Sequence, residues 1–209
     1  MSNEIGTRTG RRWVWIGGWG IPTDVFTATV RECWPRDTHT VLAPDRQAPA
    51  RARAAGADIV AGYSLGALLL LSDDTWAESL PLVAVAPFLA FDAEAGLGGT
   101  TAAATREAMR GKFDRNPSGT LRLFQRVAGL PGLVTDPLPY AAEELAWGLD
   151  ALGTLRAKAP TIRRARCYTG ANDPLLSAAQ LALHINALHL MEGEGHDFRQ
   201  LLPAVSLHE

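Results

Sequence analysis

Cysteine is scarce in this chain: Cys33 and Cys167 are the only two in 209 residues, far apart and without C-x-x-C spacing. That excludes a disulfide framework and a cysteine-based zinc site, and it points to two buried thiols in a cytoplasmic protein. An excess of one charge is missing as well. Twenty Lys and Arg stand against 22 Asp and Glu, for a formal net charge of −2. Bulk electrostatics therefore suggest neither a nucleic-acid nor a membrane partner. No apolar run approaches the ~20 residues of a membrane span; the longest, residues 67–71, reads as a buried helix face. The polar start, with Arg8, Arg11 and Arg12, has no signal-type apolar core after it. No metal-ligand cluster stands out, and Gly17-Gly-Trp-Gly20 lacks the G-x-G-x-x-G spacing of a dinucleotide site. No cofactor is expected.

What is present is an ordinary globular composition, 47% hydrophobic and 20% charged, long enough for one domain with a proper core. Its most informative stretch runs from Asp58 to Leu71. A short apolar, β-branched run reaches Gly62-Tyr-Ser-Leu-Gly66, and a Leu-rich helical pattern follows at once. This is the strand–sharp turn–helix setting of a G-x-S-x-G nucleophile elbow, in which Ser64 is the nucleophile. Close backbone approach on both sides of the strained serine explains the two glycines. The competing reading makes Ser64 a helix cap.

Around that stretch, strands are expected at 12–16, 38–43, 58–63, 81–86, 164–169 and 187–191. Helices fill 22–34, the stretch from the elbow to about 72, 177–185 and 197–202, with at most a brief one in 47–57. Continuous apolar strands alternating with helices predict a mostly parallel, doubly wound α/β sheet covered on both faces. From about 91 to 158 no strand is expected, only helical patterns near 101–112, 118–127 and 140–156. The predicted organisation is a mobile tail (1–10), an α/β core (11–90 and 159–209) and an all-helical insertion (91–158) positioned as a lid.

A serine nucleophile needs a base to take its proton and an acid to orient that base. Of five histidines, His39 precedes the elbow, His184 lies within a helix, His189 is mid-strand and His208 is in the tail. Only His196 falls in a loop past the last strand, where the order Ser, Asp/Glu, His requires the base. Asp173, between a strand and a helix, is the favoured acid, and Asp92 is the second candidate. Asp197 is expected to turn away. The oxyanion requires two backbone N–H groups. Leu65 supplies one, and Trp19, in the glycine-rich loop after the first strand, the other, with its indole walling the acyl pocket.

These residues resemble the α/β-hydrolase superfamily, over the whole chain from Trp13. Within it they look most like the pimeloyl-[acyl-carrier protein] methyl ester esterases of biotin synthesis. Gly18-Trp-Gly20 with Val25-Phe26 resembles their oxyanion segment, Gly62–Gly66 their elbow, and Ala86-Pro-Phe88 the entry to their lid. Asp173 and His196 match their acid and base. The resemblance implies a serine carboxylesterase, a carrier-bound acyl ester as substrate, and lid arginines that hold the acidic carrier. Arg106 and Arg110, then Arg122 and Arg126, are each four apart, and residues 106–126 hold six basic side chains against Glu107 and Asp114. Gly17 in place of the usual His, and Gly-His-Asp-Phe198 in place of His-Ala-Pro-Phe, depart from that family. A generic short-chain esterase or thioesterase, and a non-catalytic binding protein on the same fold, are the competing readings.

Overall fold

The computed structural model describes residues 10–206, so residues 1–9 of the tail expected at 1–10, and His208, lie outside the described residues. In chain order the elements begin with β1 (Arg12–Ile16), α1 (Thr23–Cys33), β2 (Thr38–Leu42), α2 (Ala48–Ala54), β3 (Ile59–Tyr63), α3 (Leu65–Leu71) and β4 (Leu82–Val85). There follow β5 (Ala90–Asp92), β6 (Gly98–Thr101), α4 (Ala103–Arg115), α5 (Pro117–Val127) and α6 (Ala142–Thr154). The chain continues with α7 (Ala159–Arg164), β7 (Ala165–Gly170), α8 (Ala178–Ala182), β8 (Leu188–Met191) and α9 (Phe198–Leu201).

Six strands form one sheet in the order β2-β1-β3-β4-β7-β8, parallel throughout. The central strands β3 and β4 are buried at every residue, which is why they read as unbroken apolar runs. From β1 the chain steps outward to β2, then returns to the other side of β1 as β3. Strand order therefore reverses at the β1–β3 boundary, and ligands of open α/β sheets bind outside the strand carboxyl ends at such a switch point. The segment after β1 and the turn after β3 both leave the sheet there, since Ile16 is level with Gly62.

Aromatic packing fixes the sheet's faces. Trp13, Trp15 and Trp34 stack with ring centroids 5.1–5.6 Å apart. Trp15 then meets Phe26 of α1, which in turn contacts Tyr63 and Phe198. Trp13 Nε1–H donates to Asp37 at 2.7 Å and Trp15 Nε1–H to His39 Nδ1 at 3.3 Å. His39 therefore donates from Nε2 to the Trp34 carbonyl at 3.1 Å. It is a half-buried histidine of the edge strand, and burial lowers its pKa.

Two expectations change. The stretch 91–158 is not purely helical, because β5 and β6 form a small parallel pair at its start. The Gly96–Gly99 run that reads as loop punctuation lets β6 close on β5: a Cβ on Gly99 would lie 1.9 Å from the Phe91 carbonyl oxygen. Such a contact, between residues with no apolar alternation, leaves no period-2 signal in the sequence. The strand expected at 164–169 begins one residue later, after the six-residue helix α7, whose second residue is Pro160.

The β3–α3 turn sets a sharp test of this packing. A Cβ on Gly66 would come within 2.0 Å of the Ile16 carbonyl oxygen, a backbone group that cannot rotate aside. Gly66→Ala should therefore destabilise by about 2 kcal/mol, lowering the melting temperature by about 6 °C. Thermal denaturation monitored by circular dichroism measures it. An unchanged midpoint would mean that β1 and α3 are not packed this closely.

Candidate active site

Ser64 follows β3 directly and carries φ 54° and ψ −116°. A non-glycine residue in this region costs on the order of 1–3 kcal/mol and persists only when its surroundings impose it. Here they do. A Cβ on Gly62 would sit 2.4 Å from the Gly66 carbonyl oxygen, so the strand and helix approach too closely for any side chain. Ser64 N–H donates to the Val85 carbonyl at 2.9 Å, and its own carbonyl accepts from Leu68 N–H at 3.0 Å. The hydroxyl makes no capping hydrogen bond, so the helix-cap reading of Ser64 is not realised.

That hydroxyl faces His196 instead. The Ser64 Oγ to His196 Nε2 distance is 3.0 Å, and His196 Nδ1 lies 2.6 Å from Asp173 Oδ2. With Nδ1–H donating to the carboxylate, Nε2 is left as the acceptor for the serine proton. Asp173 Oδ1 accepts from Leu175 N–H at 2.8 Å, so both carboxylate oxygens are held. The His196 carbonyl accepts from the Tyr63 hydroxyl at 2.5 Å. Burial, followed by the charges of Asp173 and Asp197, pushes the Tyr63 phenol well above its ordinary pKa, so it stays a neutral donor. All three residues are buried, with Ser64 only 4% exposed. They follow the carboxyl ends of β3, β7 and β8. The last two loops are tied by Ala171 N–H to the Met191 carbonyl and Asn172 N–H to the Glu194 carbonyl.

The other candidates are elsewhere. Asp92 receives Arg106 in a two-pronged contact, Nε–H at 2.8 Å and Nη2–H at 3.1 Å, and takes no part in the histidine contact. Asp197 caps α9 and binds Arg199. His189 stacks on Tyr168 at 4.6 Å. The expected arginine strip is broken in half. Arg106 is spent on Asp92, and Arg110 pairs with Asp114 and with Asp150 on α6, the latter at 3.0 Å. Their shared face meets carboxylates of the chain itself, Asp92 and Asp150 among them far off in sequence. Arg122 donates from Nη1 to Thr135 Oγ1 at 3.3 Å. It and Arg126 border a surface depression at Gly129–Gly132, with no carboxylate in ion-pair range of either among the described residues.

The Trp19 loop is gripped from the helical side. Gly20 N–H donates to the Tyr140 hydroxyl at 2.8 Å, and Gln125 Nε2–H donates to the Gly20 carbonyl at 3.4 Å. Trp19 Nε1–H donates to the Leu145 carbonyl at 2.8 Å, and its ring meets Phe124 edge-on at 4.9 Å. The indole is thus buried beneath α5 and α6. Leu65 N–H sits in the first turn of α3, where helical donors lack an intrahelical acceptor. No acceptor among the described residues takes the Trp19 or Leu65 amide. Tyr140 and Gln125 are positioning residues that no sequence signal marks, because they lie 120 and 105 residues from Gly20.

No family model and no curated sequence matches the chain. Solved structures do. An esterase from Exiguobacterium antarcticum superposes with a TM-score of 0.68 at 14% identity, over 90% of this chain and 85% of that one. The bottromycin epimerase BotH, in complex with bottromycin A2, gives 0.58 at 13% identity over 93% and 85%. The type II thioesterase BorB of the borrelidin biosynthetic cluster gives 0.53 at 18% over 90% and 84%. Identities this low speak for architecture alone, and the architecture is clear: the chain has the α/β-hydrolase fold.

Proposed function

We propose that the protein is a serine hydrolase of carboxylic esters. The observation that carries this reading is the unbroken contact from Asp173 through His196 to Ser64 on a strained strand–helix turn. In the reaction His196 Nε2 takes the Ser64 proton as Oγ attacks the ester carbonyl carbon. The developing oxyanion is held by the Leu65 and Trp19 amides. His196 then protonates the leaving alkoxide, and Asp173 stabilises the imidazolium in between. Water, deprotonated by the same imidazole, cleaves the acyl-enzyme and releases the acid. The helices α4–α6 act as a lid over this site.

The substrate proposed is the methyl ester of a pimeloyl chain on acyl carrier protein. Support comes from the sequence resemblance and from Arg122 and Arg126, which are left without carboxylates to meet an acidic carrier. Arg106 and Arg110 have no part in that role, because their charges are already neutralised within the chain. A thioester substrate would use the same attack and oxyanion groups, and the similarity to a thioesterase makes it the second reading.

A fluorophosphonate probe should label the wild-type protein at one site and leave a folded Ser64→Ala variant unlabelled. Asp173→Asn, which holds the imidazole in the wrong tautomer, should lower kcat by about 10⁴. Labelling that survives Ser64→Ala would refute the assignment of the nucleophile. Tyr140→Phe removes the acceptor of Gly20 N–H. It should lower kcat by about tenfold, as expected of a group that orders an oxyanion amide, with KM nearly unchanged; a rise in KM alone would assign Tyr140 to substrate binding. Steady-state kinetics with pimeloyl-[acyl-carrier protein] methyl ester tests the carrier. Arg122→Glu with Arg126→Glu should raise its KM and leave p-nitrophenyl acetate hydrolysis at the wild-type rate. Equal KM in both proteins would remove the arginines from that role.

A further inference from the structure

Between α4 and α5 lies a groove of about 350 Å³. Its buried floor is formed by Phe91, Phe124 and Leu175, and Ala108 and Met109 of α4 line one wall. The floor is shared with the candidate site's supports. Leu175 N–H holds the Asp173 carboxylate, and the Phe124 ring packs edge-on against Trp19. Ser64 does not line the groove; Phe124 lines it and packs on Trp19 from that side. The rim is apolar and open, with Leu123 and Val127 43% and 54% exposed. Apolar exposure of that kind beside a pocket usually marks a ligand or partner site.

One feature of the rim selects the occupant. Lys112 lines the groove and also a second depression, where it is joined by Arg115. The carboxylates nearest in sequence, Glu107 and Asp114, are in range of Arg106 and Arg110, and no ion pair involves Lys112 or Arg115 among the described residues. An apolar groove with one cation without an ion pair on its lining, and a second in the adjoining depression, suits an apolar chain that carries a negative charge.

We propose that this groove is the acyl subsite of the enzyme, binding an apolar chain whose distal anionic group, carboxylate or phosphate, rests at Lys112 and Arg115. The ester end points past the Phe124 ring to Ser64, so the inference deepens the serine-hydrolase reading and rests on it for the direction of the chain. It adds a length preference and a charge preference that the elbow does not set.

Binding and turnover test it separately. Calorimetry on the Ser64→Ala protein uses octanoate, octyl phosphate and neutral octanol. Both anions should bind, about fivefold more weakly in Lys112→Gln, the size of an exposed ion pair. Octanol should be indifferent to that substitution, and Ala108→Trp, at an exposed position, should abolish binding of all three by filling the groove. The tighter anion identifies the distal group. In the otherwise wild-type enzyme, kcat/KM for p-nitrophenyl esters should rise from acetate to octanoate by up to about fourfold per methylene, equivalent to about 0.8 kcal/mol. Ala108→Trp should erase the rise. Absent anion binding, equal effects of Lys112→Gln on octanoate and octanol, or an Ala108→Trp protein that changes only its sedimentation, would overturn the proposal, the last marking a protein-binding face. Intact binding without turnover of any ester would instead refute the hydrolase reading and keep the groove as a binding site.

Discussion

The approach of α3 to β1 governs everything built above the sheet. The Gly66 backbone rests against the Ile16 carbonyl with no room for a side-chain carbon. This contact, with the close one between Gly62 and Gly66, drives the chain through Ser64 in a conformation serine does not choose for itself. The strain presents the hydroxyl at the sheet's edge, next to the switch in strand order, where the β1 and β3 loops diverge and leave space. The neighbouring loops then only have to bring an imidazole and a carboxylate to the same edge. Hydrogen bonds between the loops after β7 and β8 do so.

The helical segment between β4 and β7 does more than cover this edge. Tyr140 and Gln125 hold the Gly20 backbone, and the Leu145 carbonyl holds the Trp19 indole. The geometry of the proposed oxyanion amide is thereby coupled to the position of helices more than 100 residues further along the chain. Phe124 joins two regions in the same way, packing on Trp19 and flooring the groove between α4 and α5. In the proposed reaction, chain binding and oxyanion binding share one aromatic wall.

The parts legible in sequence were those whose determinants are local or ordered along the chain. The elbow needs two glycines and a serine within five residues, between an apolar run and a Leu-rich helix, and all of that is written consecutively. Asp173 and His196 could be located because each falls just beyond a strand, and here both meet Ser64's side of the sheet. For the arginine strip, helical spacing tells which residues share a face and not what that face meets. Asp92 and Asp150, 14 and 40 residues from their arginines, decide it. The β5–β6 pair was hidden for a related reason: glycines that permit backbone contact leave no apolar period. Tyr140 was invisible because its partner is a backbone amide far away in the chain.

The central claim is that Ser64 carries a covalent acyl group during turnover. Rapid mixing of the wild-type protein with p-nitrophenyl butyrate, quenched in acid and analysed by peptide mass spectrometry, tests it most directly. The account predicts a burst of nitrophenol close to one per active site and a butyryl group on the peptide containing Ser64. Ester hydrolysis with no acyl-peptide and no burst, persisting in Ser64→Ala, would contradict it.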